Sequence, residues 1–213
     1  MTGEVSAGLT GNNAIAFFDG QNLYRHAKEA FGHHHPNYDP VALHKAVCDQ
    51  FGLRRTLTRF YTGVPDKVHG GWWADYWNNR VLALKRAGVV VTTRPIRYRD
   101  KTVYDANGNE IVSTVPQEKG IDVRIALDMV LLAVKKQYEV AILFSQDQDL
   151  NEVVTDLFEI SKVQQRPIKV ICAFPDSPDA SSRRGVEKTE WFKMDRSFYD
   201  ACLDPRDYRP KIT

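Results

Sequence analysis

The chain of 213 residues has the length of a single globular domain. Its 43% hydrophobic and 26% charged residues are close to the globular average, which excludes disordered and fibrous architectures. The formal net charge of +2 is too small to indicate a nucleic-acid partner from global charge alone.

The sequence predicts no membrane segment and no disulfide framework. It contains no run of about 18 uncharged apolar residues, and its N-terminus lacks the basic start and apolar core of a secretory signal. The three cysteines, Cys48, Cys172 and Cys202, are odd in number and show no CxxC spacing. We therefore expect a soluble, cytoplasmic protein with reduced thiols and no membrane partner.

Strands and helices alternate along most of the chain. The predicted elements are a strand at 14–18, helices at about 22–30 and 40–51, a strand at 56–61, a helix at 72–86, a strand at 89–93, a helix at 121–136, a strand at 140–144, a helix at about 148–160 and a strand at 168–174. Asp39 is the expected N-cap of the second helix, with Pro40 in its first turn. Residues 1–13 are small and polar, and we expect a flexible lead-in to one domain at 14–213.

The segment at about 95–116 interrupts this alternation. Its period-two pattern is centred on Asn107-Gly108, a strong hairpin signal, so we predict a β-hairpin arm inserted into the core. On this arm Arg97, Arg99 and Lys101 share one face. Two interpretations of these three cations are equally favoured: the arm holds an RNA backbone, or it is an ordinary ribbon that faces solvent.

Alternating strands and helices are typical of a three-layer α/β domain with a doubly wound, mostly parallel sheet. Right-handed crossovers place the carboxyl ends of all its strands at one edge. The helix at 121–136 is apolar on most sides, which predicts a central position.

Acidic residues recur where a strand or loop gives way to a helix. Asp19 ends the first strand, Asp122 lies at the start of the helix at 121–136, and Asp147 and Asp149 follow the strand at 140–144. One such aspartate alone is more often a helix cap, but three sites at one edge of a sheet indicate a shared crevice. Carboxylates gathered without thiolates favour Mg²⁺ or Mn²⁺.

Three runs of sequence resemble motifs of the NYN family, a branch of the PIN-like nucleases. They are Phe17-Phe18-Asp19-Gly20-Gln21-Asn22, Glu118-Lys119-Gly120-Ile121-Asp122-Val123 and Ser145-Gln146-Asp147-Gln148-Asp149-Leu150. The resemblance implies a PIN-like α/β sandwich in which clustered aspartates bind a divalent metal for RNA cleavage. The expected activity is that of a Mg²⁺- or Mn²⁺-dependent ribonuclease, most simply an endonuclease, acting on single-stranded RNA.

The resemblance also implies roles for individual residues. Asp19, Asp122 and Asp147 would hold the metal, Asp149 would complete the acidic set, and Asn22 would orient a ligand or the attacking water. Lys119 matches a motif position and is a candidate for substrate binding. Asp128 also matches one, but it lies six residues beyond Asp122 and is rotated off the same helical face, which favours either a role in supporting the site residues or a structural role.

The third motif departs from the usual Ser-Gly-Asp-Ser-Asp-Phe of the family at three positions, occupied here by Gln146, Gln148 and Leu150. This departure motivates an alternative, a non-catalytic RNA-binding or regulatory module that keeps the acidic pocket. A homo-oligomer also stays open.

The helix at 72–86 begins with an aromatic cluster of Trp72, Trp73, Tyr76 and Trp77. Four large rings cannot all face inward from one helix, so the cluster indicates either core packing or a surface that stacks unpaired bases.

Overall fold

The computed structural model describes residues 11–104 and 110–210. Its strands are β1 (Asn13–Asp19), β2 (Arg54–Val64), β3 (Val90–Pro95), β4 (Arg97–Tyr104), β5 (Glu110–Gln117), β6 (Val140–Phe144), β7 (Lys169–Pro175) and β8 (Glu190–Met194). Its helices are α1 (Gly20–Phe31), α2 (Pro40–Phe51), α3 (Lys67–Gly70), α4 (Trp72–Arg86), α5 (Ile121–Val134), α6 (Asn151–Gln164) and α7 (Arg196–Asp200), with a 3₁₀ turn at Gln148–Leu150. Most of the predicted lead-in, residues 1–10, lies outside the described residues.

The main sheet is parallel and has the strand order β3-β2-β1-β6-β7-β8. Helices α1, α2 and α4 pack on one face, and α5 and α6 pack on the other. The predicted three-layer, mostly parallel α/β fold is therefore confirmed. Within the described ranges, no helix is both long and apolar enough to cross a membrane.

Strand β1 lies at the centre of the sheet and is buried on both faces. Ala14, Ala16 and Phe18 face the layer of α1, α2 and α4, whereas Ile15 and Phe17 face the layer of α5 and α6. A strand covered on both sides needs apolar residues at successive positions, which explains its nearly continuous apolar run.

Helix α2 shows how local sequence fixes the ends of an element. The Asp39 carboxylate accepts a hydrogen bond from the backbone N–H of Val41 at 2.8 Å, and Pro40 occupies the first turn. Gly52 ends the helix with a φ of 63°, in the left-handed region that glycine adopts without a steric penalty. The predicted Asp39 cap is confirmed.

Helix α5 is not central, and that prediction was wrong. Its inner face packs against the sheet through Ile125 and Met129, but Val123, Leu127 and Leu131 are about half exposed. The last three residues recur every four positions and form a stripe on the outer face. Helix α5 therefore carries more apolar residues than the fold buries.

Strands β4 and β5 pair antiparallel from Arg97 with Gln117 to Tyr104 with Glu110 and form a separate two-stranded sheet, which we call the ribbon. The predicted turn at Asn107-Gly108 lies at 105–109, outside the described residues. The inserted hairpin arm therefore stays a prediction. Near the base of the ribbon, the ring of Tyr98 in β4 stacks on the ring of His69 in α3, with ring centroids 4.0 Å apart.

Candidate active site

The candidate site lies where the winding of the sheet changes direction. β1 and β6 are neighbours, but β1 continues into α1 on one face of the sheet and β6 leads to α6 on the other. Chains that leave adjacent strands toward opposite faces open a crevice at the strand carboxyl ends, which is where open α/β sheets bind ligands.

Asp19 ends β1 inside this crevice and is only 6% exposed. One carboxylate oxygen accepts a hydrogen bond from the backbone N–H of Asn22 at 3.1 Å and so caps α1, and Ser145 Oγ lies 3.4 Å from the other oxygen. The next residue must be small. A Cβ atom on Gly20 would lie 2.6 Å from the Phe60 ring and 2.9 Å from the Tyr61 carbonyl oxygen. The Asp-Gly pair thus lets α1 begin directly at the end of β1.

Asn22 joins α1 to the loop that follows β6. Its side-chain oxygen Oδ1 accepts a hydrogen bond from the backbone N–H of Gln146 at 2.9 Å, and the residue is buried. The structure therefore gives Asn22 a positioning contact. The role predicted for it, orienting a ligand or the attacking water, remains untested.

The two glutamines that depart from the family motif contact another loop. The side-chain nitrogen Nε2 of Gln146 donates to the Arg184 carbonyl oxygen at 2.9 Å, and Nε2 of Gln148 donates to that of Gly185 at 3.1 Å. They attach the loop after β6 to the segment that precedes β8.

A cleft of about 750 Å³ opens above these residues. The acidic side chains that line it are Asp19, Glu118, Asp122 and Asp147. The cationic ones are Arg25, Lys28 and Lys119. The fold thus brings together the three aspartates predicted to hold metal, although the first and the last of them, Asp19 and Asp147, are 128 residues apart in the chain.

The carboxylates of the cleft perturb one another. Burial raises the pKa of Asp19 to about 6, and the neighbouring charge of Asp147 raises it as well, against the hydrogen bond from Asn22. Burial likewise raises the pKa of Glu118 to about 7, with further contributions from Asp19 and Asp122. Like charges held together in a partly desolvated cleft favour protonation or the binding of a cation.

Comparison with known proteins identifies the family. The sequence profile described as the NYN domain matches residues 13–181, which includes β1 through β7 and all three motifs. The chain belongs to the NYN domain family. NYN domains are PIN-like nuclease domains, so the resemblance inferred from the motifs is confirmed. No curated protein is significantly similar to the chain.

Among solved structures, the NYN chain is similar to a protein of unknown function from Vibrio parahaemolyticus. The two share 19% identity over 88% of this chain and 96% of that one, with a TM-score of 0.54, a likeness that concerns the fold alone. A ribokinase from Giardia lamblia aligns at 12% identity over 67% of this chain and 40% of that one, with a TM-score of 0.36, which is too low to carry an argument.

Three charged residues that line the NYN cleft, Glu118, Arg25 and Lys28, were not among the predicted site residues. Glu118 follows β5 and accepts a hydrogen bond from the backbone N–H of Gly63, near the end of β2. Arg25 and Lys28 lie three and six residues beyond Asn22, on a helix that begins in the crevice. Their spacing places Asn22, Arg25 and Lys28 on neighbouring turns of α1, a pattern already visible in the sequence.

Other predicted residues lie outside the cleft. Asp149 lines an adjoining cavity of about 400 Å³, which Asp122 also borders, and its backbone N–H donates to Asp147 Oδ1 at 3.1 Å. The cations of the ribbon, Arg97, Arg99 and Lys101, are exposed and do not line the cleft.

Asp128 is buried away from the cleft in an ionic cluster beneath α5. Its carboxylate pairs with Arg59 and Arg124 and accepts a hydrogen bond from the Tyr61 hydroxyl at 2.8 Å. These contacts fix the inner face of α5 to β2, which is a structural role.

The donor set of the cleft fits a hard divalent cation. Its acidic side chains are all carboxylates, and burial, together with neighbouring negative charge, raises the pKa of Asp19 and Glu118, a setting that a bound cation would stabilise. In the part of the chain that the structure describes, however, no three acidic, histidine or cysteine side chains are grouped closely enough to enclose an ion. Mg²⁺ is commonly held by one or two carboxylates and several waters, so a closed protein cage is not required.

Proposed function

We propose that this NYN domain is a metal-dependent ribonuclease that hydrolyses RNA phosphodiesters as an endonuclease. The observation that carries the proposal is the convergence of Asp19, Asp122 and Asp147 in one cleft at the switch point of the sheet. Membership of a PIN-like nuclease family supports the class of reaction.

In this proposal Asp19, Asp122 and Asp147 would hold Mg²⁺ or Mn²⁺. Bound there, the ion supplies an activated water and compensates charge that develops on the phosphate. Asp149 supports this set through the hydrogen bond from its backbone N–H to Asp147. Asn22 keeps the loop of Asp147 against α1.

The cations of the cleft have the complementary task of binding the substrate. Arg25 and Lys28 of α1 line the cleft, and so does Lys119, which follows Glu118 in the chain. An RNA backbone requires cations to offset its phosphates, and an acidic floor repels it until metal is bound. The substrate proposed is single-stranded RNA, since an unpaired backbone bends into a cleft more easily than an A-form duplex.

A cytoplasmic location is part of the same proposal. It is supported by Cys48, Cys172 and Cys202, which are free, buried thiols.

The test is cleavage of an internally labelled single-stranded RNA with Mg²⁺, with Mn²⁺ and with chelator. We expect internal cuts with either metal and none with chelator. Asp147→Asn should be inactive, whereas Asp179→Asn, which changes an exposed aspartate outside the cleft, should cleave like the parent.

The alternative is a non-catalytic RNA-binding module. It is favoured by the replaced motif residues, since Gln146 and Gln148 hold the segment before β8, and by the lack of a tight ligand group within the described residues. RNA binding by the parent without cleavage under any metal condition would establish this alternative and reject the ribonuclease.

A further inference from the structure

A third cavity, of about 420 Å³, opens between the first turns of α4 and the C-terminal segment 204–209. We call it the tryptophan pocket. Its walls include Trp72, Trp73, Tyr76, Arg80 and Tyr208. None of these residues lines the acidic cleft.

The aromatic wall of this pocket is large, rigid and partly exposed. Trp73 covers one face of the Trp72 indole, with ring centroids 4.2 Å apart and planes 24° from parallel, and Trp72 is 47% exposed. Tyr76 is buried and packs edge-on against both Trp73 and Tyr208. Of the aromatic cluster predicted on this helix, Tyr76 and Trp77 belong to the core, whereas Trp72 offers a flat surface on which a planar ligand can stack.

The charges around the pocket favour an anionic ligand over a cationic one. Its lining contains three arginines, Arg80, Arg206 and Arg209, against two aspartates, Asp204 and Asp207. Both aspartates already accept hydrogen bonds from the arginine two residues later. Burial lowers the pKa of His35 at the rim, and the nearby positive charges of Arg209 and Arg80 lower it further. Aromatic walls with an excess of positive charge suit a base that carries a phosphate.

Arg80 forms the floor of the pocket and is fully buried. Its guanidinium donates to the carbonyl oxygens of Pro36 and Tyr38, each at 2.7 Å, while its Nε has no hydrogen-bond partner among the described residues. A buried charged group with an unused donor is unusual in a pocket that serves only packing. It keeps a fixed positive charge beneath the aromatic wall.

Tyr38 connects the floor of this pocket to the start of α1. The Tyr38 ring lies 5.1 Å from the Arg80 guanidinium carbon, and its hydroxyl donates to the carbonyl oxygen of Gly20 at 3.1 Å. Gly20 directly follows Asp19. In addition, α4 begins beyond the carboxyl end of β2, so its first turn lies at the same edge of the sheet as the cleft.

We propose that the tryptophan pocket binds one unpaired nucleobase of the RNA, stacked on the exposed face of Trp72, while the neighbouring backbone lies in the acidic cleft. The inference rests on the proposed function in taking RNA as the occupant. It adds that the strand must be unpaired at this position, because a base within a duplex presents no free face.

The test measures RNA binding with Ca²⁺ in place of Mg²⁺ and Mn²⁺, so that the acidic floor is compensated while binding is followed separately from cleavage. The probes are a labelled oligouridylate, an oligomer of equal length with the same backbone but no bases, and uridine monophosphate. The variants are Trp72→Phe, which keeps an aromatic face, and Trp72→Leu, which keeps only apolar bulk. Leu82→Ala is the matched control, since Leu82 is also 47% exposed and lies on the same helix outside the pocket.

We expect Trp72→Leu to weaken oligouridylate binding by roughly 5- to 100-fold, the range found for loss of one base-stacking side chain. Trp72→Phe should retain most of the affinity, and Leu82→Ala should equal the parent. The baseless oligomer should bind weakly and equally to all four proteins. If Trp72→Leu proves unstable, Trp72→Gln takes its place, because it removes the aromatic face with a polar side chain suited to a site that is 47% exposed, and the same loss of oligouridylate binding is expected.

Equal oligouridylate affinity in the parent and Trp72→Leu overturns the proposal, as does an equal loss of binding with the baseless oligomer. Binding of uridine monophosphate that depends on Trp72, without such dependence for the oligomer, assigns the pocket to a free nucleotide and rejects RNA as its occupant. Binding that depends on Trp72 in a protein that never cleaves leaves this inference intact and rejects the ribonuclease. Cleavage that does not depend on Trp72 would support the ribonuclease and reject the tryptophan pocket as a base-binding site.

Discussion

The side-chain oxygen Oδ1 of Asn22 accepts a hydrogen bond from the backbone N–H of Gln146, 2.9 Å away and 124 residues along the chain. The contact joins the first turn of α1 to the loop after β6, which are the two sides of the switch point. Asp19 lies on one side and Asp147 on the other. The spacing of these two carboxylates therefore depends on an uncharged residue.

We predict that Asn22→Ala leaves the buried N–H of Gln146 without its partner and lowers the free energy of unfolding by about 1–3 kcal/mol. Cleavage should fall by roughly 10- to 100-fold, because small displacements of reacting groups slow a reaction strongly. Urea denaturation and single-turnover cleavage measure the two effects. Asn22→Ser, which retains a shorter acceptor, should recover part of the stability. Parental stability and rate in the alanine variant would show that the contact is dispensable.

A second prediction concerns Asp19→Asn, which should abolish cleavage while the fold survives. An asparagine can still accept the hydrogen bond from the N–H of Asn22, and it removes a carboxylate whose pKa is raised to about 6 by burial and by Asp147. An acid with a raised folded-state pKa adds stability as the pH falls from about 6 to below its usual value near 4, and it opposes folding at neutral pH.

In chelator, Asp19→Asn should therefore be more stable than the parent at pH 7, by up to about 3 kcal/mol. The difference should shrink as the pH falls to about 4. Chemical denaturation across this range measures it, and isothermal titration with Mn²⁺ should show weakened metal binding. A variant less stable than the parent at pH 7 contradicts this account of the crowded cleft.

A third prediction compares two sets of cations. Replacing Arg97, Arg99 and Lys101 of the ribbon by alanine should weaken RNA binding and flatten its salt dependence by about 0.7 per lost phosphate contact. Arg25→Ala with Lys28→Ala should do the same from inside the cleft. Fluorescence anisotropy over a salt series separates the two sets. An unchanged slope in the ribbon variant, with a reduced slope in the α1 variant, would restrict the RNA path to the cleft.

A fourth prediction concerns acid stability and a residue remote from the cleft. His44 of α2 is fully buried, and its Nδ1 lies 2.8 Å from the Thr58 hydroxyl. Burial, and then the charge of Arg55, lower the pKa of His44 to about 3. The unfolded chain takes up a proton near pH 6.5, but the folded chain does not. Stability is therefore lost as the pH falls from about 6.5, by up to about 1.4 kcal/mol per pH unit.

His44→Gln should remove this component, so that the difference in unfolding free energy between variant and parent changes steadily from pH 7 to pH 4. His69→Gln, which alters a more exposed histidine on α3, is the control and should follow the parent more closely. Parallel curves for His44→Gln and the parent would show that His44 does not contribute to the acid sensitivity.

Local signals in the sequence predicted the elements that they directly control. Asp39 and Gly52 determine the ends of α2, and α4 spans the predicted residues 72–86. β8 was missed because Glu190 and Lys193 interrupt a short edge strand that neither alternates regularly nor forms an apolar run. The prediction that α5 is central was wrong because the apolar pattern of a sequence does not show how many of its apolar residues the fold covers. Val123 and Leu127 are apolar but half exposed.

The aspartates of the candidate site were predictable because strand order brings the carboxyl ends of β1 and β6 together. Glu118 was harder to recognise, since its position depends on the Gly63 N–H and therefore on how the ribbon leaves the sheet. The tryptophan pocket needed coordinates as well. The sequence gives no indication that Tyr208 would return to the first turns of α4.

The hydrogen bonds from Gln146 and Gln148 to carbonyl groups within residues 182–185 limit how far the C-terminus of an expressed fragment can be shortened. The family match ends at residue 181, just before these acceptors. An expression product trimmed to that boundary would remove both acceptors of the Gln146 amide and the Gly185 acceptor of Gln148, and it would uncover Phe174, which packs against Trp191. It would also lack Tyr208 and with it one wall of the tryptophan pocket. Recombinant versions intended for crystals or assays should therefore extend through at least residue 210.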